Sequence, residues 1–357
     1  MIEEMMSQDV LLTQEPEVDL KKERKFCSGI GMNYFLFFLI ANGLQLAVSA
    51  LIMYFATDIA ENNYGLYMMF IMMPMYVIGV PALWALCKRI PAMHLEKHNM
   101  SAGKFIVLLL MCFGVMIVGN IIGIIVNYLI ALITGNPVLN AVELLMSNSN
   151  VWVNILIVGI CAPIFEELMF RKFLVERMVR YGEATAVVVS GLMFGLFHGN
   201  FTQFFYATAL GFFLAFVYVK TGKLKYPILI HMIINMSSTL IMPIVQKIDL
   251  EALENMMGAA ELMAEGTVST GLTNDMMSGF ADMAVPLMIL LIYDFVLYGM
   301  AFAGIILLIL KRKQFTFKKG EITLPKGQRA SVVWGNVGMI LFSIACLCLF
   351  VLTIFNI

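Results

Sequence analysis

Nine stretches of this chain are long enough and apolar enough to cross a lipid bilayer, or nearly so, and this limits its folds more than any other feature. A helix needs roughly 20 apolar residues to span a hydrocarbon core. Residues 33–56, 64–87, 105–134, 151–175, 184–198, 202–219, 225–246, 284–310 and 332–355 meet or approach that length. Backbone N–H and C=O groups in lipid find partners only inside helices or closed barrels. The expected fold is therefore all-α, a polytopic transmembrane helix bundle of about eight or nine spans. The runs 184–198 and 202–219 are the shortest and are separated only by the turn around His198-Gly-Asn-Phe201. A hydrophobic content of 61%, a charged content of 13% and a mean hydropathy of +0.88 exclude a soluble globular domain. With a net charge of −1 and dispersed basic residues, no nucleic-acid partner is expected. The six cysteines lie mostly in apolar runs without zinc-like spacing and read as small buried hydrophobes.

Loops set the topology, because cytoplasmic loops collect Lys and Arg. Lys21 to Lys25, Lys88 to Lys104, Arg177 and Arg180, Lys220 to Lys225, and Lys311 to Arg329 alternate with loops that are acidic or nearly free of cations. The reading is a plasma-membrane, multi-pass protein with a cytoplasmic amino terminus and an extracytoplasmic carboxyl terminus. A cleaved signal peptide is not expected, since the polar leader is long and the first apolar run is of full spanning length. The chain divides into a cytoplasmic tail (1–32), N-terminal transmembrane helices (33–134), a four-helix core (135–246), an acidic extracytoplasmic loop (247–283) and C-terminal transmembrane helices (284–357). The acidic loop has helical spacing of apolar residues, so it reads equally as a lid on the outer leaflet and as a solvated connection.

Polar residues inside the fourth apolar run then need an explanation. Each ionised side chain at mid-helix costs roughly 2.5–3.5 kcal/mol on insertion scales, yet Glu166, Glu167 and Arg171 lie within six residues. Glu167 and Arg171, four apart in the acid-before-base order, can pair. Glu166 points about 100° away around the helix and has no equal partner. A carboxylate left over in an apolar setting is what a general acid or base can be made from. Pro163, one turn upstream, interrupts the hydrogen-bond ladder and leaves room for water or an orphan carbonyl.

Two of the four histidines, His94 and His98, lie among loop charges and read as solvated. His198 and His231 lie in apolar runs, with Asn235 one turn beyond His231. If 151–180 and 184–198 form an antiparallel pair turning at Tyr181-Gly-Glu183, Glu166 and His198 each lie ~21 Å from the turn, at one level. Gly191 and Gly195 share the His198 face with Phe194 and would let a neighbouring helix come close.

Three chemistries fit Glu166, His198, His231 and Asn235. The first is a hydrolase, in which a carboxylate and an imidazole activate water and the third-helix histidine and asparagine stabilise an oxyanion. The second is a metal site with the histidines and a glutamate as ligands; zinc is not excluded, although no HExxH is present. The third is a proton or ion path, with Asp294 as a further member. For Asn42, Asn120, Asn127, Asn154 and Asp294 taken singly, interhelical hydrogen bonding is the expected role. No GxSxG motif and no Ser or Cys paired with His at a recognisable spacing competes.

At these positions the sequence resembles the CPBP (Abi) family of intramembrane proteases, which includes the type II CAAX prenyl endopeptidases. The resemblance rests on EExxxR (Glu166, Glu167, Arg171), FxxxH (Phe194, His198) and HxxxN (His231, Asn235), in the family's order and each within an apolar run. It covers about 151–245. It implies endopeptidase activity within the membrane on a membrane-associated peptide or protein, lipidated or not, at a site open to the cytoplasmic side. Glu166 and His198 would activate water, His231 and Asn235 would form the oxyanion hole, and Glu167, Arg171 and Phe194 would support the site. By the same resemblance the enzyme is a glutamate protease with no cofactor. The substrate does not carry over, and roles in peptide maturation, bacteriocin immunity or transport remain as alternatives.

Overall fold

The computed structural model describes residues 18–135, 138, 146–249, 253–254 and 272–355. The expectation for a lid at 247–283 falls largely outside them, as does the tail before residue 18. Among the described residues there is no strand. Eight helices are long and apolar enough to cross a membrane: α1 (Leu20–Phe55), α2 (Tyr64–Cys87), α3 (Ala102–Thr134), α4 (Val151–Tyr181), α6 (Phe201–Thr221), α7 (Lys225–Val245), α8 (Leu272–Leu310, apolar from Met283) and α9 (Val337–Phe355). The ninth apolar run forms the shorter α5 (Glu183–Phe197), whose 15 residues reach only ~22 Å. The chain is a multi-pass membrane protein. Short helices at Thr57–Asn62, Arg312–Gln314 and Arg329–Val333 lie between spans.

The turns follow from local sequence. Gly182, at φ 102, turns α4 into α5. Its backbone packs against Gly320, where any side chain would strike the Arg180 and Tyr181 backbone. The α5–α6 turn is built by His198-Gly-Asn, with Gly199 at φ 68. Asn200 caps α6 by accepting from the Gln203 amide at 2.9 Å, and its Nδ2 donates to the Gln203 side-chain oxygen at 2.8 Å. The second Asn200 contact, to the His198 carbonyl at 2.9 Å, ties the histidine to the cap. Gly191 and Gly195 face α6 as their spacing suggested: a methyl group on either would overlap Phe212 or Thr208. These two positions let α5 and α6 pack almost backbone to backbone.

The basic loops meet at one end of the bundle. The Met93 amide donates to the Glu176 carbonyl, the His98 amide to the Thr221 carbonyl, and the Glu183 amide to the Lys318 carbonyl. There Lys318 Nζ also pairs with Glu96 at 3.1 Å. The opposite end carries no comparable set of cations in the sequence.

The α4 helix departs most from regularity, running through two π-helical stretches, Ile155–Cys161 and Leu168–Val175, on either side of the α-helical turn Ala162–Glu167. Such stretches leave carbonyls without intrahelical donors, and lipid offers none. Other polar side chains supply them. Tyr34 of α1 donates to the Met169 carbonyl, Ser190 of α5 to that of Phe170 at 2.9 Å, Arg177 to that of Phe173 at 2.8 Å, and Asn235 of α7 to that of Val158 at 3.0 Å. The last has a specific origin. In a π-helix the donor to Val158 would be the N–H five residues on, at position 163, which is proline and has none. The orphan carbonyl expected near Pro163 is thus present and is closed by α7.

Candidate active site

The irregular α4 presents Glu166 and Glu167 on different faces. Glu167 and Arg171 are fully buried, and the pair expected from their spacing forms: Arg171 Nε and Nη2 donate to the two carboxylate oxygens of Glu167 at 2.8 and 3.0 Å. This fork matches the planar guanidinium to the carboxylate. The remaining nitrogen, Nη1, donates to Ser190 Oγ at 2.8 Å, and the guanidinium lies over the Phe194 ring at 5.0 Å. Each acceptor around Arg171 is therefore fixed by another element. Arg171 is neutralised by Glu167 and forms no ion pair with Glu166.

Glu166 faces a cavity of about 340 Å³ instead. His198, His231, Asn235 and Phe194 line the same cavity, with Gln203 and Tyr206 from α6 and Tyr76 from α2. The structure thus brings Glu166 of α4, both histidines and the asparagine to one space, although they come from three segments of the chain. The Glu166 side chain remains 14% exposed to that space while its neighbour Glu167 has no exposure, so two adjacent glutamates occupy opposite environments.

His231 bridges the two carboxylates. Its Nδ1 is 3.1 Å from Glu167 Oε1 and its Nε2 is 3.7 Å from Glu166 Oε2. Because Glu167 is held by Arg171, the Nδ1 contact fixes the ring plane and aims Nε2 toward Glu166. The His198 Nδ1 donates to the Phe194 carbonyl at 2.8 Å, which leaves the neutral ring's lone pair on Nε2. Phe194 packs its ring edge-on against both imidazoles, at 4.9 Å from His198 and 5.8 Å from His231. It also covers Arg171, so one aromatic ring touches the buried guanidinium and both cavity imidazoles.

Asn235 is placed less simply than its spacing suggests. One amide hydrogen is committed to Val158, leaving one for any group in the cavity. Sequence reading missed three contributors. Ser190 holds Arg171 and looked like an unremarkable small residue in an apolar run. Tyr76, stacked on Phe165 at 4.8 Å, forms the wall beside Glu166. Gln203 had a readable signal, the Asn-x-x-Gln capping pattern. Of the polar residues taken singly, Asn42 bonds the Phe38 carbonyl of its own helix and Asn154 the Met146 carbonyl.

His231 Nδ1 is held by Glu167, itself forked by Arg171, and His198 Nδ1 by the Phe194 carbonyl, so both rings turn Nε2 toward the cavity; among the described residues no group of three His, Cys, Asp or Glu is arranged to hold a metal ion. The site presents a carboxylate and two imidazoles on one cavity wall, the groups of general acid–base chemistry.

Residues 148–237 match the family described as "Type II CAAX prenyl endopeptidase Rce1-like". This segment contains all seven residues of the EExxxR, FxxxH and HxxxN motifs. The chain is also 32% identical over 82 residues to "Putative membrane peptidase YdiL" of Bacillus subtilis (strain 168), an alignment that covers 23% of this chain and 34% of that protein. The chain thus spans about a third of the length of the curated relative it matches. No solved structure matches it.

Proposed function

We propose that the protein is an intramembrane endopeptidase of glutamate type, which cleaves a peptide bond of a membrane-associated peptide or protein with a water activated by Glu166 and His198. The observation that carries this reading is the Glu166 carboxylate on the cavity wall, denied the arginine by Glu167 and 3.7 Å from His231 Nε2. In the proposed cycle, water sits between Glu166 and His198 Nε2, gives up a proton to Glu166 and attacks the peptide carbonyl. The tetrahedral oxyanion is met by the second amide hydrogen of Asn235 and by the His231 imidazolium, which gives Nδ1–H to Glu167 and Nε2–H to the oxyanion. Glu166 then delivers its proton to the leaving amine. Glu167 and Arg171 hold the His231 ring and the α4 backbone in place. The family match over 148–237 supports the peptidase class. No cofactor enters the cycle. The proposed setting is the plasma membrane, with the basic end of the bundle and the amino terminus in the cytoplasm.

Comparison of membrane proteomes from cells carrying wild-type protein and Glu166→Gln tests the proposal, since it reads out substrate and activity together. Peptide products present in wild type should be absent in Glu166→Gln and His198→Ala, while both variants remain inserted at wild-type levels. Products that persist in either variant remove the mechanism. Activity lost to a chelator and restored by zinc would replace it with metal catalysis.

A further inference from the structure

A second cavity, of about 570 Å³, lies among the basic ends of α3, α6 and α8 and shares no lining residue with the first. Three lysines from three helices surround its mouth: Lys104 in the first turn of α3, Lys220 in the last turn of α6, and Lys311 directly after α8. The rest of the lining combines polar groups, His98, Asn99, Thr221 and Gln314, with an apolar set, Val107, Leu108 and Met111 of α3 and Phe216 and Phe315.

The helix crossings explain why a wedge forms here. A methyl group on Gly304 of α8 would overlap the Leu110 carbonyl of α3, and one on Gly119 of α3 would sit 2.7 Å from Tyr206 Cα of α6. α3 is therefore in backbone contact with both neighbours at points ~10–22 Å from their basic ends. Between these crossings and the lysines the space stays open, closed at its base by buried Met111.

The charges at the mouth are unequally used. Lys220 pairs with Glu183, which also accepts from the Lys318 amide. Among the described residues neither Lys104 nor Lys311 has a carboxylate partner within ion-pair distance. Two cations on the rim of a partly apolar wedge at a membrane boundary call for a ligand with an anionic head and a hydrocarbon tail. A free anion would satisfy the rim and leave the wedge unfilled. A zwitterionic lipid would fill the wedge and bring no net charge to the rim.

We infer that this cavity is a binding site for an anionic phospholipid, its phosphate between Lys104 and Lys311 and an acyl chain lying against Phe216 and Met111. The site stands independently of the peptidase reading. Titration of the purified full-length protein in neutral detergent with phosphatidylglycerol, followed by thermal unfolding, tests it. Phosphatidylglycerol should raise the wild-type midpoint saturably, whereas phosphatidylcholine and inorganic phosphate should not. In Lys104→Gln/Lys311→Gln the half-saturating lipid concentration should rise about thirtyfold, while Lys104→Arg/Lys311→Arg should stay within about threefold of wild type. Leu108→Trp, which fills the wedge and keeps both charges, should weaken the response at least about tenfold and serves if the glutamine variant does not fold. A wild-type response in both the glutamine and tryptophan variants, or a response to phosphatidylcholine equal to that for phosphatidylglycerol, overturns the inference. So does a shift reproduced by inorganic phosphate alone, which would make this a free-anion site.

Discussion

Replacing Arg171 by methionine should destabilise the protein far more than its packing implies. Methionine can follow the path of the arginine stem, and volume-conserving replacements in a core usually cost less than about 1.5 kcal/mol. The guanidinium, however, makes three donor contacts of 2.8, 3.0 and 2.8 Å and is fully buried together with Glu167. Its removal leaves the Glu167 carboxylate in a dry interior with His231 Nδ1, at 3.1 Å, as its remaining side-chain partner. Breaking a buried pair from one side costs about 3–5 kcal/mol, because the surviving charge keeps its desolvation penalty without compensation. Removing that charge as well should recover much of the loss: Glu167→Gln/Arg171→Met should fall only about 1–2 kcal/mol below wild type. Denaturant unfolding in mixed micelles, read by tryptophan fluorescence for wild type, Arg171→Met, Glu167→Gln and the double variant, gives the coupling directly. A single-variant loss under 1.5 kcal/mol, or a double variant no more stable than Arg171→Met, would refute the electrostatic account.

Two further perturbations probe the same framework. Asn235→Ala should cost about 1–3 kcal/mol by stranding the Val158 carbonyl, and Pro163→Ala in that background should restore part of it by returning an N–H at the π-helical donor position; an unfolding midpoint that does not recover would disprove the link. Outside the membrane, Lys318 holds the exposed Glu96 carboxyl below its usual range, first through their hydrogen bond and then through charge, with His98 adding to both. A carboxyl shifted down in the folded state contributes stability above its ordinary pKa and loses it as pH falls through the folded value. Limited proteolysis of the 311–328 loop should therefore accelerate only below the ordinary carboxylate range, and Glu96→Gln should show the faster cleavage already at neutral pH.

The fold class was legible because lipid removes every alternative to helix or barrel for a chain with nine such runs. The Glu167–Arg171 pair was legible because i,i+4 geometry is local, and Glu166 stood out by subtraction. The turn at Gly182 and the close α5–α6 approach at Gly191 and Gly195 also follow from small residues at helical spacing. What the sequence could not supply were contacts that depend on α4 leaving α-helical geometry. Pro163 announced an orphan carbonyl, but only the folded chain shows that Asn235, 77 residues from Val158, closes it and so has one amide hydrogen fewer for chemistry. Ser190 and Tyr76 escaped notice for the same reason: a hydroxyl in an apolar run carries no sign of the partner that will reach it. The bridge from Glu167 through His231 toward Glu166 likewise belongs to the tertiary structure alone. Residue spacing fixes what one helix presents on each face; which faces meet is decided by how whole helices cross, and that depends on packing along their full length.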